Sequence, residues 1–446
     1  MHTSRLRHLD ALALARALWA GPQAPASMQA RAEHALGASP EWLRRLIAEL
    51  PRVCDATWQR QEVDDLAARV EQTRAFSDGR RASGVPFLRR WILRASRMHP
   101  PPLGLDELGL PPLPHSAAIA AWLAITLDDL DWFTHERRHR LPLPSQHYGF
   151  TLQPKRSGGG RLIESPRSRL KALQGRVLHD LLDKVPVHEA CHGFVAGRSV
   201  LTHARLHTGR PVLLHFDLKN FFGSILASRV RAIFHTLGYP TGVARQLGAL
   251  CTVTTPGPVI ERLRADGWVD WQNAQALRRP HLPQGAPSSP MLANLCAFQL
   301  DLRLDGLAHA VGATYSRYAD DLVFSGAKSL HAGADRIAAW VARIARDEGY
   351  ALNHSKTRIA TPAAAQRVCG VVVNQHLNLP RQEFDRLRAV LHQCALHGPA
   401  SQNREGHADF RAHLWGRVQW ATQVNPSKAL RLQALWSRIT WADAPT

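Results

Sequence analysis

Residues 314–326, TYSRYADDLVFSG, constrain the fold more than any other stretch of this chain. Two short runs of strand-forming residues, 315–318 and 322–324, flank Ala319, Asp320 and Asp321, which predicts a β-hairpin with carboxylates at its tip. Two adjacent anions on a tight turn repel each other unless a cation sits between them. Upstream, VLLHFDLKNFFGSI places Asp217 at the end of an apolar strand, so a third carboxylate meets the hairpin tip if the strands are neighbours. Three converging carboxylates suit hard divalent ions such as magnesium, which take oxygen ligands and keep positions for water and phosphate. This is the protein half of a two-metal phosphoryl-transfer site, whose two ions lie roughly 3.5–4 Å apart. Taken alone, Asp-Asp is an ordinary solvated turn, so the reading depends on the rest of the chain.

With 446 residues the chain is long enough for two or three domains. Lys and Arg number 56 against 36 acidic residues, a formal charge of +20, which points to nucleic acid as the partner. A hydrophobic content of 45% excludes a disordered basic tail. The six cysteines are far apart and form no CxxC, which indicates neither a zinc ribbon nor a disulfide framework and fits a reducing cytoplasm. No uncharged apolar run approaches membrane-spanning length, so no membrane partner is expected. Near the N-terminus, Leu6, Leu9, Ala13 and Ala17 recur at helical spacing, and Asp10 and Arg16 interrupt what would otherwise resemble a secretion signal.

Residues 1–98 read as a helical extension, in which Ser39 is expected to cap a helix with Pro40 in its first turn. Residues 99–114, HPPPLGLDELGLPPLP, form a Pro-rich linker. Ser116 then caps a long helical pattern whose apolar face is Ile119, Trp122, Leu123 and Ile125. Residues 148–153 and 161–164 read as two strands joined by a basic Gly-rich turn, where Lys155, Arg156 and Arg161 are within reach of a triphosphate. His188, His192, His203 and His207 have no metal-ligand spacing and read as solvated or core histidines.

Phe221 and Phe222 follow Asp217 closely. An aromatic ring beneath the sugar of an incoming nucleotide clashes with a 2′-hydroxyl, the group that distinguishes ribose from deoxyribose. Residues 251–280 read as loops and lead to HLPQGAPSSPMLANL, a turn of small residues opening a helix, where the Gln284 amide can bond a nucleotide. Lys356 sits on a short loop, placed to protonate departing pyrophosphate. CGVVVNQHLNLPR reads as a second hairpin, and basic helices with Trp415, Trp420 and Trp436 end the chain.

Taken in order, LQPKRSGGGRLIESP, HFDLKNFFGSI, LPQGAPSSPMLANL, YSRYADDLVFSG, SKTRI and GVVVN resemble the motifs of reverse transcriptases over about residues 116–446, and those of bacterial retron reverse transcriptases most closely. The resemblance implies an α+β right-hand polymerase fold: fingers over 115–210, a palm with an antiparallel sheet and some fingers elements over 211–380, and a helical thumb over 381–446. It implies that Asp217, Asp320 and Asp321, with the Leu218 carbonyl, hold two magnesium ions. It further implies that Phe222 excludes ribonucleotides, Gln284 contacts the nucleotide, Lys155 and Arg161 bind its triphosphate, Lys356 is the general acid, and GVVVN grips the primer end. Retron enzymes also carry Asn-Ala-x-x-His and Val-Thr-Gly signatures, matched here by residues 203–207 and by Val368, Cys369 and Gly370. His203 stands for the Asn and Cys369 for the Thr, and His203, His207, Val368, Cys369 and Gly370 become candidates for RNA recognition.

The function implied is RNA-directed DNA polymerisation, a nucleotidyl transfer that uses deoxynucleoside triphosphates. The template would be a cognate structured noncoding RNA, primed from the 2′-hydroxyl of an internal guanosine. The product would be an RNA-DNA hybrid and branched RNA-linked single-stranded DNA, used in antiphage defence with an effector protein. Nothing after the thumb resembles a ribonuclease H, so template removal would fall to a host ribonuclease H. Two alternatives stand beside this reading: another defence-associated or group II intron-like reverse transcriptase, and a basic RNA-binding scaffold with a vestigial polymerase site.

Overall fold

In the computed structural model, residues 2–50, 63–82, 98–102, 104–134, 147–154 and 160–441 are described. The chain divides into two compact units, Met1–Arg97 and Met98–Thr446.

The first unit contains helices α1 (His2–Trp19), α2 (Pro25–Leu36), α3 (Glu41–Glu49), α4 (Val63–Gln72) and α5 (Arg74–Ala82). Ala11, Leu14, Ala15 and Leu18, spaced i, i+3, i+4 and i+7, carry α1 into a core with Leu43, Leu46, Val70 and Phe76. The face expected through Leu9 is corrected, because Leu9 is 44% exposed. In an Ala-rich helix several stripes look apolar, and the leucines that find partners decide among them. Ser39 is not the cap of α3: Pro40 occupies that position without a side-chain bond, and the Ser39 hydroxyl donates to Glu33.

In the second unit, the segment expected as a linker lies against the core through Leu105, Leu108, Leu110 and Leu113. Its prolines disfavour a long helix, but Leu113 is buried and Leu105, Leu108 and Leu110 are partly buried against the core. The long helix expected after Ser116 is two helices, α6 (Ser116–Leu123) and α7 (Leu127–Thr134), broken where Ala124 takes φ 55°. The His115 ring, rather than Ser116, caps α6 by accepting from the Ala118 N–H. Strands β1 (Tyr148–Pro154) and β2 (Gly160–Pro166) then pair antiparallel along their whole length, followed by α8 (Ser168–Asp180) and α9 (Val200–Arg205).

At the centre of the second unit is a four-stranded antiparallel sheet of order β4-β5-β3-β6, made from β3 (Val212–Asp217), β4 (Ala313–Tyr318), β5 (Asp321–Gly326) and β6 (Arg358–Ala360). Because side chains alternate along a strand, Val212, Leu214, Phe216, Tyr315, Leu322 and Phe324 enter the main core. That core is completed by α10 (Ala227–Thr236), α11 (Thr241–Leu250), α14 (Ser289–Cys296), α15 (Phe298–Ala310) and α16 (Ala334–Asp347). The loop expected over 251–280 contains two short helices, α12 (Gly257–Ala265) and α13 (Trp271–Leu277), the second capped by the Asp270 carboxylate.

Leu213 and Val323 face the other way, into a smaller cluster with Leu201, Ala204, Val368 and Val371. The second hairpin is displaced from its expected position. Its strands are β7 (Arg367–Val368) and β8 (Val371–Val372), so Cys369 and Gly370 form the turn. Helices α17 (Arg381–His397), α18 (Phe410–Val424) and α19 (Pro426–Trp436) close the chain around their own cluster of Leu387, Leu391, Leu414, Val418 and Leu432.

Candidate active site

Register brings the carboxylates together. In the β3–β5 ladder Asp217 lies directly opposite Asp321, and in the β4–β5 ladder Tyr318 opposes Asp321, leaving Ala319 and Asp320 as a two-residue turn. Directly opposed Cα atoms in antiparallel strands are about 4.5–5.5 Å apart, and like charges there are destabilising. The Leu218 N–H donates to the Asp320 carbonyl at 2.9 Å, locking the turn against the end of β3. Ala319 has φ 54°, the positive value that two-residue hairpin turns require at their first position.

Burial first, then the charges of Asp321 and Asp217, raise the pKa of Asp320. Lys356 Nζ donates to Asp217 Oδ2 at 2.7 Å. Burial works against the Lys356 charge, but the bond to Asp217 and the attraction of all three carboxylates outweigh it and raise its pKa. His215 Nε2 lies 3.3 Å from Asp321 Oδ1, and the Cys369 thiol points at Asp321 Oδ2 at 3.7 Å. Among the described residues no three such side chains already form a closed coordination set. The donor chemistry nevertheless fits magnesium: oxygen ligands only, negative charge in excess, and a lysine ammonium neutralising Asp217.

Beneath the turn, Arg317 is fully buried. Its guanidinium donates bidentately to Asp301, at 2.7 Å through both Nε and Nη2, and through Nη1 to Asn294 at 3.0 Å and to the Ala319 carbonyl at 3.1 Å. Tyr315 donates to the same Asp301 at 2.8 Å. Burial opposes the Arg317 charge, yet Asp301 overcomes it and raises the pKa. A fixed cation therefore holds the backbone of the carboxylate turn. Backbone strain also gathers here: among the described non-glycine residues with positive φ, Phe194, Asn220, Ala319 and Cys369 border this site, and Ala124 lies elsewhere. Such strain persists where surrounding structure over-determines it, commonly at functional sites.

Residues 153–390 match the family model described as reverse transcriptase (RNA-dependent DNA polymerase). The chain is 42% identical over 336 residues to the retron Mx65 reverse transcriptase of Myxococcus xanthus, covering 74% of this chain and 72% of that protein. The chain belongs to the retron reverse transcriptases. It is also 35% identical over 335 residues to the retron Mx162 reverse transcriptase of the same organism, covering 72% of this chain and 66% of that one. Against the retron Ec86 reverse transcriptase of Escherichia coli it is 32% identical over 292 residues, covering 65% and 80%. It is therefore an RNA-directed DNA polymerase with an α+β polymerase fold, in a family that is generally magnesium-dependent. No helix among its described residues is long and apolar enough to cross a membrane.

In this reverse transcriptase the two segments that resemble retron signatures meet under the β4–β5 hairpin. His203, His207 and Val368 are 0% exposed, so these three side chains offer no surface to RNA; Cys369 is half-buried and Gly370 exposed. His207 bonds Ser325 of β5 through Nδ1 and Ser316 of β4 through Nε2, both at 2.7 Å, tying the two hairpin strands together. Burial, reinforced by neighbouring imidazoles, lowers His203 to about 2; burial, with His192 and Arg210, lowers His207 to about 3. Both rings are thus neutral supports.

The two departures from the family pattern touch each other, with His203 Nδ1 3.4 Å from Cys369 Sγ. Burial, then the Asp321 charge, raises the Cys369 pKa, so its thiol keeps the proton that it points at Asp321. His203→Asn and Cys369→Thr are expected to impair DNA synthesis singly and to compensate when combined, with a coupling of about 1 kcal/mol in a double-mutant cycle. Strictly additive losses would show that the contact carries nothing.

Phe221 and Phe222 divide their labour. Phe221 is buried, beneath the Arg317 guanidinium at 5.7 Å, whereas Phe222 is only half-buried. Gln284 is half-buried, and its carbonyl accepts from the Glu164 N–H at 2.8 Å, which joins its loop to β2. Gly285, at φ 133°, has a backbone that L side chains rarely adopt, and an added Cβ would press on the Glu164 carbonyl and Ile163 at 3.2 Å. Arg161 is exposed on β2, while Lys155 and Arg156 lie outside the described residues. Sequence reasoning missed Glu164 and His281. Their buried side chains meet at 3.1 Å, and Glu164 also accepts from Thr255 at 2.7 Å, fastening β2 to the loop before Gln284. His215, Phe194 and the Arg317–Asp301 pair were also missed, since nothing local in the sequence distinguishes them from ordinary strand, loop and helix residues.

Proposed function

We propose that this enzyme copies a cognate structured noncoding RNA into DNA, starting from the 2′-hydroxyl of an internal guanosine and yielding branched, RNA-linked single-stranded DNA. The direct opposition of Asp217 and Asp321, with Asp320 on the adjoining turn, carries the chemical part of this reading. Two magnesium ions held by Asp217, Asp320, Asp321 and the Leu218 carbonyl would lower the pKa of the attacking hydroxyl and neutralise the leaving pyrophosphate. Lys356, its ammonium beside Asp217, stands ready to give a proton to that leaving group. Arg161, with Lys155, binds the triphosphate; Gln284 contacts the nucleotide; the half-buried ring of Phe222 lies under its sugar. Cys369 and Gly370, at the tip of the β7–β8 hairpin, are the signature residues placed to meet RNA, and His203, His207 and Val368 support them from below. Thumb helices α17–α19 grip the RNA-DNA hybrid. The reading places the enzyme in the bacterial cytoplasm, in antiphage defence with an effector protein, and leaves template removal to a host ribonuclease H.

Sequencing the nucleic acid that co-purifies with the enzyme, before and after supplying deoxynucleotides and magnesium, tests the reading. One structured RNA is expected, extended into DNA that debranching releases from an internal guanosine. Synthesis only from added DNA or RNA primers would overturn the self-priming part. Phe222→Ala is expected to admit ribonucleotides, raising their use relative to deoxynucleotides by about tenfold or more, on the scale of one lost steric contact. Unchanged discrimination in single-nucleotide incorporation would place the gate elsewhere.

A further inference from the structure

Phe194 belongs to a loop that is held from several sides. The His192 N–H donates to the Arg317 carbonyl at 2.7 Å, and the Arg317 N–H donates to the Ala190 carbonyl at 2.8 Å. The buried Asn294 amide donates to the Gly193 carbonyl at 2.8 Å. Gly193 is pressed onto the catalytic turn so closely that a Cβ there would come within 2.7 Å of the Ala319 nitrogen. Arg198 adds bonds to the carbonyls of His188, Glu189 and Cys191. At the end of this frame Phe194 has φ 59°, a left-handed backbone that is a genuine outlier for a bulky residue.

Burial does not explain the strain, because Phe194 is 50% exposed. A large apolar ring in a strained conformation and half in water is held there against both its backbone preference and its hydrophobicity. Its ring centroid lies 6.4 Å from that of Phe222 and 6.2 Å from that of Tyr318, the residue that precedes the carboxylate turn. Phe194 therefore spans the gap between the ring assigned to the sugar and the strand that carries the catalytic aspartates.

We propose that Phe194 is a substrate-contacting specificity residue, a second aromatic wall against the nucleoside of the incoming deoxynucleotide. The proposal rests on the reading of Phe222 as the ring beneath the sugar. An aromatic face stacks on sugar and base without reading sequence, so all four nucleotides should feel its loss equally.

Phe194→Gly and Phe194→Leu, compared with Phe222→Ala on one fixed primer–template, test this. Phe194→Gly is expected to raise KM for each of the four deoxynucleotides by about tenfold, the scale of a lost aromatic contact. Its melting temperature should be unchanged or higher, because glycine adopts positive φ without strain. Phe194→Leu, which keeps bulk and loses the ring, should lie between Phe194→Gly and the native enzyme in KM. A lower melting temperature with unchanged KM would make the ring structural and overturn the proposal. A weakened primer–template Kd with unchanged nucleotide KM would also overturn it, by assigning the ring to the strand already bound. If Phe222→Ala leaves sugar discrimination intact while Phe194→Gly raises KM, the sugar-gate reading fails and the Phe194 contact stands; the converse result rejects Phe194 alone.

Discussion

Asp320→Asn is expected to reduce deoxynucleotide incorporation by about a thousandfold or more, an increase of roughly 4 kcal/mol in the barrier. The amide keeps the shape of the carboxylate and loses the charge, so the substitution isolates the electrostatic part of the site. Asp320 is half-buried beside Asp217 and Asp321, and burial, then the charges of Asp321 and Asp217, raise its pKa, so its ionised form is disfavoured until a divalent cation arrives. Removing that charge should therefore leave the magnesium-free protein at least as stable as the native one. RNA affinity should change little, since phosphate contacts made by the basic surface dominate binding to a polyanion. The decisive measurement combines single-nucleotide extension, melting temperature in a chelator and RNA binding at fixed salt. Loss of activity accompanied by a lower melting temperature and weaker RNA binding would mean that the substitution damages the fold instead of the chemistry.

The carboxylate site was legible in the sequence because it rests on short-range rules. Alternation along VLLHFD and DLVFSG determines which side chains share a face, and the two-residue turn determines where Asp320 lies. The separate fates of Phe221 and Phe222 also follow from local geometry. What supports the site was not legible, because it consists of contacts between residues far apart in the chain. Arg317 reads as a polar strand residue and Asp301 as a charge on a helix; only their common burial makes them a pair. Glu164 and His281 are 117 positions apart, and neither has a neighbour in sequence that announces the other. His203 and Cys369 each look like an isolated departure until the fold places them in contact. Backbone strain is equally hidden: Ala124 breaks a helix without a Gly or Pro to signal it, and Phe194 takes a left-handed conformation that its residue type disfavours.

Arg317→Met should have the largest effect on stability. The substitution fills similar space but leaves Asp301 fully buried without its cation, a loss that costs roughly 3–5 kcal/mol. Set against a typical total stability of about 5–15 kcal/mol, this lowers the melting temperature by on the order of 10 °C. Activity should fall in the surviving folded fraction as well, because the Ala319 carbonyl loses the Nη1 donor that steadies the carboxylate turn. Arg317→Lys retains the charge but cannot make the bidentate bond to Asp301, so its loss should be smaller and fall more on activity than on folding. Adding Asp301→Leu to Arg317→Met removes the orphaned charge and should restore stability while leaving synthesis impaired, since neither apolar side chain can hold the turn. Thermal melts and primer extension on the two single variants and the double variant separate these contributions. Full recovery of synthesis in the double variant would show that the ion pair serves folding alone, with no part in positioning Asp320 and Asp321.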